Sequence, residues 1–302
     1  MCFIGDDDGF TKWVLKVAKW MKKSEIHSCI GPRAIYYWPD IKFYHHRFPS
    51  LTINKFSGKI ENVKTQKELV RCLKKGAISL GKLPKVYHGI VSREVLNKVY
   101  NKTGSYFPGP CPDIANAVAL CFYLDEHYYI DIPFVISGQS YKSAGGMGAR
   151  HAHKSDIKKV SSLPKNTSSN WEREIPRIWT GQTIYAESCI KALRLLKKDE
   201  YINKFNFPYL YAAFICFHPK EFALVKDKFA NATTVIKTMY YLVPIFAKRV
   251  WIYLRNFLST RTGIFVNRKV YKNIPNIIRA GELVDAHIST TNRIKAVEDI
   301  ND

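Results

Sequence analysis

The sequence FIGDDDGF, at residues 3–10, joins an apolar pair to a glycine, three adjacent aspartates and a second glycine. The apolar pair is typical of the end of a buried strand, and the glycines predict a turn. Three adjacent carboxylates repel one another unless they share a cation, so the turn is a candidate site for a hard divalent ion. Ligands bind at the C-terminal ends of strands in open α/β sheets, which favours this interpretation. The alternative is an acidic turn that caps the next helix, because carboxylates favour helix N-termini.

Helix and strand periodicities alternate on the C-terminal side of this turn. Apolar spacing predicts a helix over residues 10–23, with a buried face made of Trp13, Val14, Val17 and Met21. Ser92 is an N-cap candidate for a second helix, over 93–102. Further helices are predicted over 65–75 and 114–123, and strands over 34–38, 51–53, 86–91 and 128–136. This order predicts an α/β fold with a mixed sheet flanked by helices.

The second half of the chain is predicted to be mainly helical. A polar linker over 155–170 precedes helical patterns over 182–198, 208–230 and 235–258, and the polar tail from residue 282 is expected to fray. The segment 237–255 is aromatic, apolar and basic, and its charges interrupt the apolar run. It therefore predicts a helix that lies in a membrane interface rather than one that spans a bilayer. The alternative is an aromatic helix buried against the core.

Composition and charge limit the classes of function. Hydrophobic residues make up 46% of the 302 residues, which predicts a buried core and excludes a disordered chain. The net charge of +22 attracts polyanions such as anionic lipid, nucleic acid or phosphorylated substrates. The basic residues are spread along the chain, so a nucleic-acid tail is not favoured, and a lysine-rich solvated surface is the alternative. Without a signal peptide or a spanning apolar run, we expect a cytoplasmic chain.

Two further segments contain candidate site residues. Asp113 follows a Gly-Pro-Cys-Pro turn and opens an apolar helix, which suits a general base held on rigid backbone. The alternative for Asp113 is a plain N-terminal carboxylate. Arg150, His151 and His153 follow a glycine-rich loop, where histidines two apart can bind a metal and the guanidinium can meet a phosphate. An exposed polar loop is the alternative there.

Taken in order, these segments resemble a bacterial family 2 glycosyltransferase with the GT-A fold. The resemblance covers about residues 3–155 and is weaker beyond them. It rests on FIGDDDGF at 3–10, HGIVSREVL at 88–96, the Pro112-Asp113 helix start and the strand 128–137 with its GQS continuation. It implies a partial GT-A-like catalytic domain over 1–155, a helical extension over 156–232, and a basic aromatic helix with a tail over 233–302.

The resemblance also implies roles for individual residues. Asp7 and Asp8 would hold a divalent metal, Mn²⁺ or Mg²⁺, and Asp113 would be the catalytic base. The donor's ribose and diphosphate would contact Asp6, Arg150 and His151. The implied enzyme is an inverting glycosyltransferase that moves a sugar from a nucleotide-sugar donor to a saccharide or lipid-linked acceptor. Such an enzyme would serve surface polysaccharide synthesis, as a peripheral protein on the inner face of the membrane.

The chain departs from the family pattern in its N-terminal part. Only five residues precede Asp6, whereas the family carries a nucleotide-binding half before the aspartate motif. We therefore expect that half to be missing or to be supplied by a second chain. Two other classes stay open: a non-catalytic basic module that binds anionic membrane or nucleic acid, and a metal-dependent phosphoryl-group enzyme. The sequence contains no phosphate-binding Gly-Lys-Ser/Thr loop, which disfavours the phosphoryl-group enzyme.

Overall fold

The strands form two mixed sheets in the computed structural model, which describes residues 1–42, 48–150, 152–262 and 268–290. The strands are β1 (Gly9–Phe10), β2 (Ser28–Ile30), β3 (Arg33–Tyr37), β4 (Ser50–Asn54), β5 (Ile60–Lys64), β6 (Gly89–Val91), β7 (Glu126–Ile130), β8 (Val135–Gln139), β9 (Lys154–Ser155), β10 (Trp179–Thr180) and β11 (Arg268–Lys272). One sheet has the order β1-β8-β3-β4-β11 and the other β5-β7-β2-β6, while β9 and β10 pair separately.

Helices flank both sheets and make up most of the C-terminal region. They are α1 (Trp13–Lys23), α2 (Thr65–Lys74), α3 (Arg93–Thr103), α4 (Pro112–Leu120), α5 (Ala144–Ala149), α6 (Gly181–Leu195), α7 (Phe207–Phe217), α8 (Ala223–Lys226), α9 (Ala232–Thr262) and α10 (Ile277–Ser289). The predicted class, a mixed α/β fold with a helical C-terminal region, is confirmed at this level.

Each sheet contains one parallel strand pair, and the chain passes from one sheet to the other between β2 and β3 and again between β7 and β8. β3 runs parallel to β8 in one sheet, and β2 runs parallel to β7 in the other. The chain bends between β2 and β3 at Gly31, where a Cβ would lie 2.7 Å from the carbonyl oxygen of Ile132. Gly31 makes this close approach to the segment between β7 and β8, where the chain also leaves one sheet for the other. The prediction of one continuous strand over 128–136 is therefore wrong, because its two halves belong to different sheets.

Apolar spacing and helix-end residues correctly predicted α1 and α3. Val17 and Met21 of α1 are buried, as their helical spacing predicts. The hydroxyl of Ser92 accepts a hydrogen bond from the Val95 N–H at the start of α3, and the helix stops at Gly104 with a φ of +73°. A glycine adopts that left-handed conformation without the steric penalty of a Cβ, which explains the helix end.

Two predictions for the C-terminal half are wrong. The helix predicted over 208–230 stops at Phe217, and the chain turns at Pro219 before the short α8. The tail is not frayed from residue 282, because α10 continues to Ser289 with Val284 and Ile288 fully buried. These side chains lie four residues apart on one helix face and pack in the same core as α1 and β8.

Helix α9 packs on α7 along one face only. The Tyr209 and Tyr241 rings are 5.3 Å apart, and Arg249 Nη1 donates a hydrogen bond to the Cys216 carbonyl oxygen over 2.5 Å. Most apolar side chains on the rest of α9 are exposed, so the alternative of a helix buried in the core is wrong. Within the described ranges, no helix is both long and apolar enough to cross a bilayer.

Candidate functional site

A cavity of about 780 Å³ lies over one face of the parallel strands β3 and β8, where alternate residues of β3 (Arg33, Ile35 and Tyr37) line it beside residues 137–139 of β8. Three carboxylates predicted as site residues line it, namely Asp7, Asp8 and Asp113. The first two follow the N-terminal segment, and the third opens α4 more than a hundred positions later. The two segments that the sequence singled out therefore meet in one cavity, on a face of the sheet that contains β3 and β8.

The acidic turn is folded around the carboxylate of Asp8. Its Oδ2 accepts hydrogen bonds from the Gly5 N–H at 2.6 Å, the Tyr87 hydroxyl at 3.2 Å and His88 Nε2 at 2.6 Å. Its Oδ1 accepts one from the Gly138 N–H at 2.8 Å. Four donors match the roughly four lone-pair positions of a carboxylate, and only 2% of the side chain is exposed.

These donors decide the charge of Asp8. Burial raises the pKa of this carboxyl, but the hydrogen bonds from His88, Gly5 and Gly138 outweigh burial and hold the pKa below its ordinary value. Arg33 Nη1 lies 3.0 Å from His88 Nδ1. Because a guanidinium only donates, Nδ1 accepts, and the imidazole proton lies on Nε2 facing Asp8. Asp8 is therefore a fixed anion in a closed network.

The backbone around the turn leaves no room for larger residues. A Cβ on Gly138 would lie 1.7 Å from the Asp7 carbonyl oxygen, so β8 can pass the turn only with glycine at this position. That carbonyl also accepts the Trp38 indole N–H at 2.9 Å, and Asp7 Oδ2 accepts the Ser140 N–H at 3.0 Å. The turn is consequently held against both parallel strands.

Asp113 lies in a different environment, in the first turn of α4. Its side chain is half-buried and accepts no hydrogen bond from any other described residue. Burial raises the pKa of Asp113, and the nearby cations Lys85 and Arg33 oppose that shift only in part. A carboxylate that is poorly solvated and has no donor binds a proton readily, which suits a general base.

The segment that ends in His88 was not predicted as part of the site. His88 has a φ of +61°, which is uncommon for a residue with a side chain and is found at functional sites. Burial, with a smaller contribution from Arg33, lowers the pKa of Lys85 to about 8. Arg33, Tyr87 and His88 line the cavity. Their types are common on any protein surface, so the sequence alone carried no signal for them beyond the HGIV pattern.

Two other predicted site residues, Asp6 and Arg150, do not line this cavity. Asp6 is exposed on the outside of the turn. Arg150 donates a hydrogen bond to the Tyr141 carbonyl oxygen at 2.7 Å and packs over the Tyr141 ring. His151 lies outside the described residues. His153 does line the cavity, with its ring 4.0 Å from that of Trp179.

The acidic turn does not cap α1. The backbone N–H of Lys12 bonds to Asp285 Oδ1 of α10 at 3.0 Å, and no aspartate lies in the first turn of α1. Capping as the explanation of the aspartate triplet is therefore wrong. The turn is explained by its contacts with β8, Tyr87 and His88 instead.

The predicted divalent-cation site fits these residues only in part. Among the residues that the structure describes, no three His, Cys, Asp or Glu side chains are grouped to hold a metal. Asp8 could bind a cation only by giving up a donor, whereas Asp7 Oδ1 accepts no hydrogen bond from described residues. Binding of Mn²⁺ or Mg²⁺ stays a prediction that depends on Asp7.

Comparisons with known proteins give the chain no family. No protein-family model, no curated protein and no solved structure matches it. The chemistry of the cavity residues is therefore the basis on which a function can be assigned.

Proposed function

We propose that this chain is a group-transfer enzyme of the inverting glycosyltransferase type, with Asp113 as the catalytic base. The observation that carries the proposal is the meeting of Asp113 with the Asp7–Asp8 turn in one cavity over the face of β3 and β8. Asp8 and Asp113 line the same cavity and have opposite environments, since the pKa of Asp8 is lowered and that of Asp113 is raised. Such pairs separate a proton acceptor from a fixed charge in many enzymes.

The proposed reaction is a single displacement. Asp113 takes the proton of an acceptor hydroxyl, and the resulting oxygen nucleophile attacks the anomeric carbon of a nucleotide-sugar. The bond from that carbon to the diphosphate oxygen breaks, and the electron pair leaves with the nucleoside diphosphate. The configuration at the anomeric carbon inverts because nucleophile and leaving group lie on opposite faces.

The leaving group is an anion and requires positive charge nearby. Arg33 lines the cavity, and one of its nitrogens bonds to His88 while the guanidinium retains further N–H donors. Guanidinium groups bind phosphate oxygens in a bidentate manner. We assign the diphosphate to Arg33, and the half-buried Lys85, which interacts electrostatically with Arg33 but does not line the cavity, adds to the positive charge. The aromatic rings of Tyr37, Tyr185 and Trp179 also line the cavity and suit stacking on a base or a sugar.

The finer assignment, a family 2 enzyme with a GT-A domain, remains part of this proposal. It is supported by the placement of the aspartate turn after the first apolar segment and by the parallel strand pair beside it. The acceptor would be a saccharide or a lipid-linked saccharide.

The test combines binding and turnover. Purified chain is titrated calorimetrically with UDP and GDP, with and without manganese, and is then incubated with UDP- and GDP-sugars while nucleoside diphosphate release is measured. Asp113→Asn should reduce release by about 10²–10⁴-fold, because a general base contributes that much, and should leave nucleotide binding intact.

The matched control is Asp227→Asn, which neutralises an exposed carboxylate outside the cavity and should leave turnover unchanged. Release of a nucleoside monophosphate instead of the diphosphate would indicate phosphoryl chemistry. A folded chain that binds neither UDP nor GDP under any of these conditions would refute the proposal.

A further inference from the structure

Helix α9 carries an apolar stripe that faces away from the body of the protein. Residues on this stripe are spaced three and four apart, which keeps them on one helix face, and all are exposed: Ile236, Met239, Val243, Phe246, Val250 and Tyr253. Val243 is 71% exposed and Phe246 is 59% exposed. The opposite face, around Thr238 and Tyr241, packs on α7. The helix therefore has two apolar faces, of which one has no neighbour within the described residues.

The exposed Tyr240 and Leu254 widen the apolar face beyond the stripe, and a row of cations borders this outer face, about 100° around the helix from Ile236. Lys237, Lys248 and Arg255 are exposed and form no ion pair with any described residue. Separations of 11 and 7 residues correspond to about three and two helical turns, so the three side chains lie in line. No Asp or Glu occurs between Asp227 and Glu282, although lysines and arginines recur throughout that stretch. The charge of this surface is therefore positive along its whole length.

We propose that the outer face of α9 is a docking surface for an anionic lipid bilayer. An exposed apolar stripe beside a line of lysine and arginine is the arrangement by which a helix lies in a membrane interface. The apolar side chains enter the boundary between headgroups and acyl chains, and the cations contact lipid phosphates. This surface does not depend on the proposed group transfer, since no residue of the stripe lines the cavity that holds Asp113.

Charge favours a lipid surface over a second copy of the chain. The spacing of the stripe would also suit a two-helix coiled coil, whose flanking positions normally carry opposite charges. Here the positions that flank the stripe carry no carboxylate, so they form no such pairs, and a second copy would only add more positive charge from Lys237, Lys248 and Arg255. An anionic bilayer supplies the missing negative charge.

The experiment is co-sedimentation of the full chain with vesicles of phosphatidylcholine, alone and mixed with phosphatidylglycerol. We expect binding to the mixed vesicles and little to the neutral ones. The triple variant Lys237→Gln, Lys248→Gln, Arg255→Gln should bind about 100-fold more weakly, at roughly five-fold for each cation. The double variant Val243→Ser, Phe246→Ser should bind at least about 10-fold more weakly because it removes two apolar side chains.

The matched control is Lys19→Gln, Lys22→Gln, Lys23→Gln, which removes three exposed cations from α1 and should leave vesicle binding nearly unchanged. Equal binding of the control and the α9 charge variant would overturn the proposal, as would undiminished binding by the serine variant. Light scattering of the chain without vesicles provides the competing outcome: a dimer that the serine variant converts to a monomer, without vesicle binding, would assign the stripe to a second copy.

Discussion

The acidic turn and the start of α4 contribute carboxylates to the same cavity, but the two carboxylates differ in their hydrogen bonds and in the direction of their pKa shifts. Asp8 is surrounded by four donors, which hold its pKa below the ordinary value. Asp113 accepts no hydrogen bond from described residues, and burial raises its pKa. The comparison shows that the position of a carboxylate in a cavity says little about its role until its donors are counted. A saturated carboxylate organises its surroundings, whereas an unsaturated one is available for chemistry.

The largest expected difference between the two regions is in stability. Asp8→Ala should lower the free energy of unfolding by about 3–5 kcal/mol, because it leaves buried donors on Gly5, His88 and Gly138 without an acceptor. Urea unfolding followed by circular dichroism measures this. The control is Asp6→Ala, two residues away and exposed, which should change stability by no more than about 0.5 kcal/mol. Equal effects of the two substitutions would show that the network around Asp8 is absent in solution.

A second prediction concerns the close approach of β8 to the turn. Gly138→Ala should destabilise the protein by about 2–3 kcal/mol, because the new Cβ overlaps the Asp7 carbonyl oxygen and forces the turn away. The matched substitution is Gly148→Ala in α5, where a Cβ meets nothing within 4 Å. It should raise the free energy of unfolding by about 0.5–1 kcal/mol, because alanine lowers the conformational entropy of the unfolded chain. Thermal unfolding of both variants separates these outcomes. A neutral Gly138→Ala would contradict the packing of the turn on β8.

Features that depend on a few neighbouring residues could be predicted from the sequence. Ser92 and Gly104 delimit α3 because an N-cap bond and a left-handed glycine are local interactions. The apolar face of α1 followed from its spacing in the same way. The candidate carboxylates Asp7, Asp8 and Asp113 were also identified, because they stand beside turns that open or close an element.

Features that depend on contacts between distant segments could not be predicted. The bond between Asp8 and His88 joins residues 80 positions apart and decides that Asp8 is saturated. The division of the strand at 128–136 depends on Gly31, which approaches Ile132 from the link between β2 and β3. In α10, Val284 and Ile288 have helical spacing, but the residues around them are mostly polar. Their burial depends on α1 and β8, which are distant in sequence and form the surface on which α10 packs.

The dependence of stability on pH should also distinguish the two carboxylates. The folded pKa of Asp113 lies above its unfolded value of about 3.9, so its contribution is fully present below the unfolded pKa and is lost as pH rises through the folded pKa. The folded pKa of Asp8 lies below that value, so its contribution is present above the unfolded pKa and is lost as pH falls through the folded pKa.

Urea unfolding between acid and neutral pH measures both effects. Relative to the wild type, Asp113→Asn should become more stable as pH rises, whereas Asp8→Asn should become less stable. Turnover should rise with pH as Asp113 loses its proton, since a base must be unprotonated to act. Stability differences that run in parallel for the two variants would remove the distinction between a fixed charge and a proton acceptor.

The smallest expected effect tests whether Asp8 needs all four of its donors. Tyr87→Phe removes only the hydroxyl that lies 3.2 Å from Asp8 Oδ2, so three donors remain and the free energy of unfolding should fall by about 1 kcal/mol. The pKa of Asp8 should rise toward its ordinary value, which NMR titration of the carboxyl carbon detects. Tyr100→Phe is the control, since that exposed tyrosine lies outside the cavity and should change neither quantity. If Tyr87→Phe lowers the free energy of unfolding as much as Asp8→Ala does, the Tyr87 hydroxyl rather than His88 holds the turn. The contrast between Asp8 and Asp113 would then rest on that single donor.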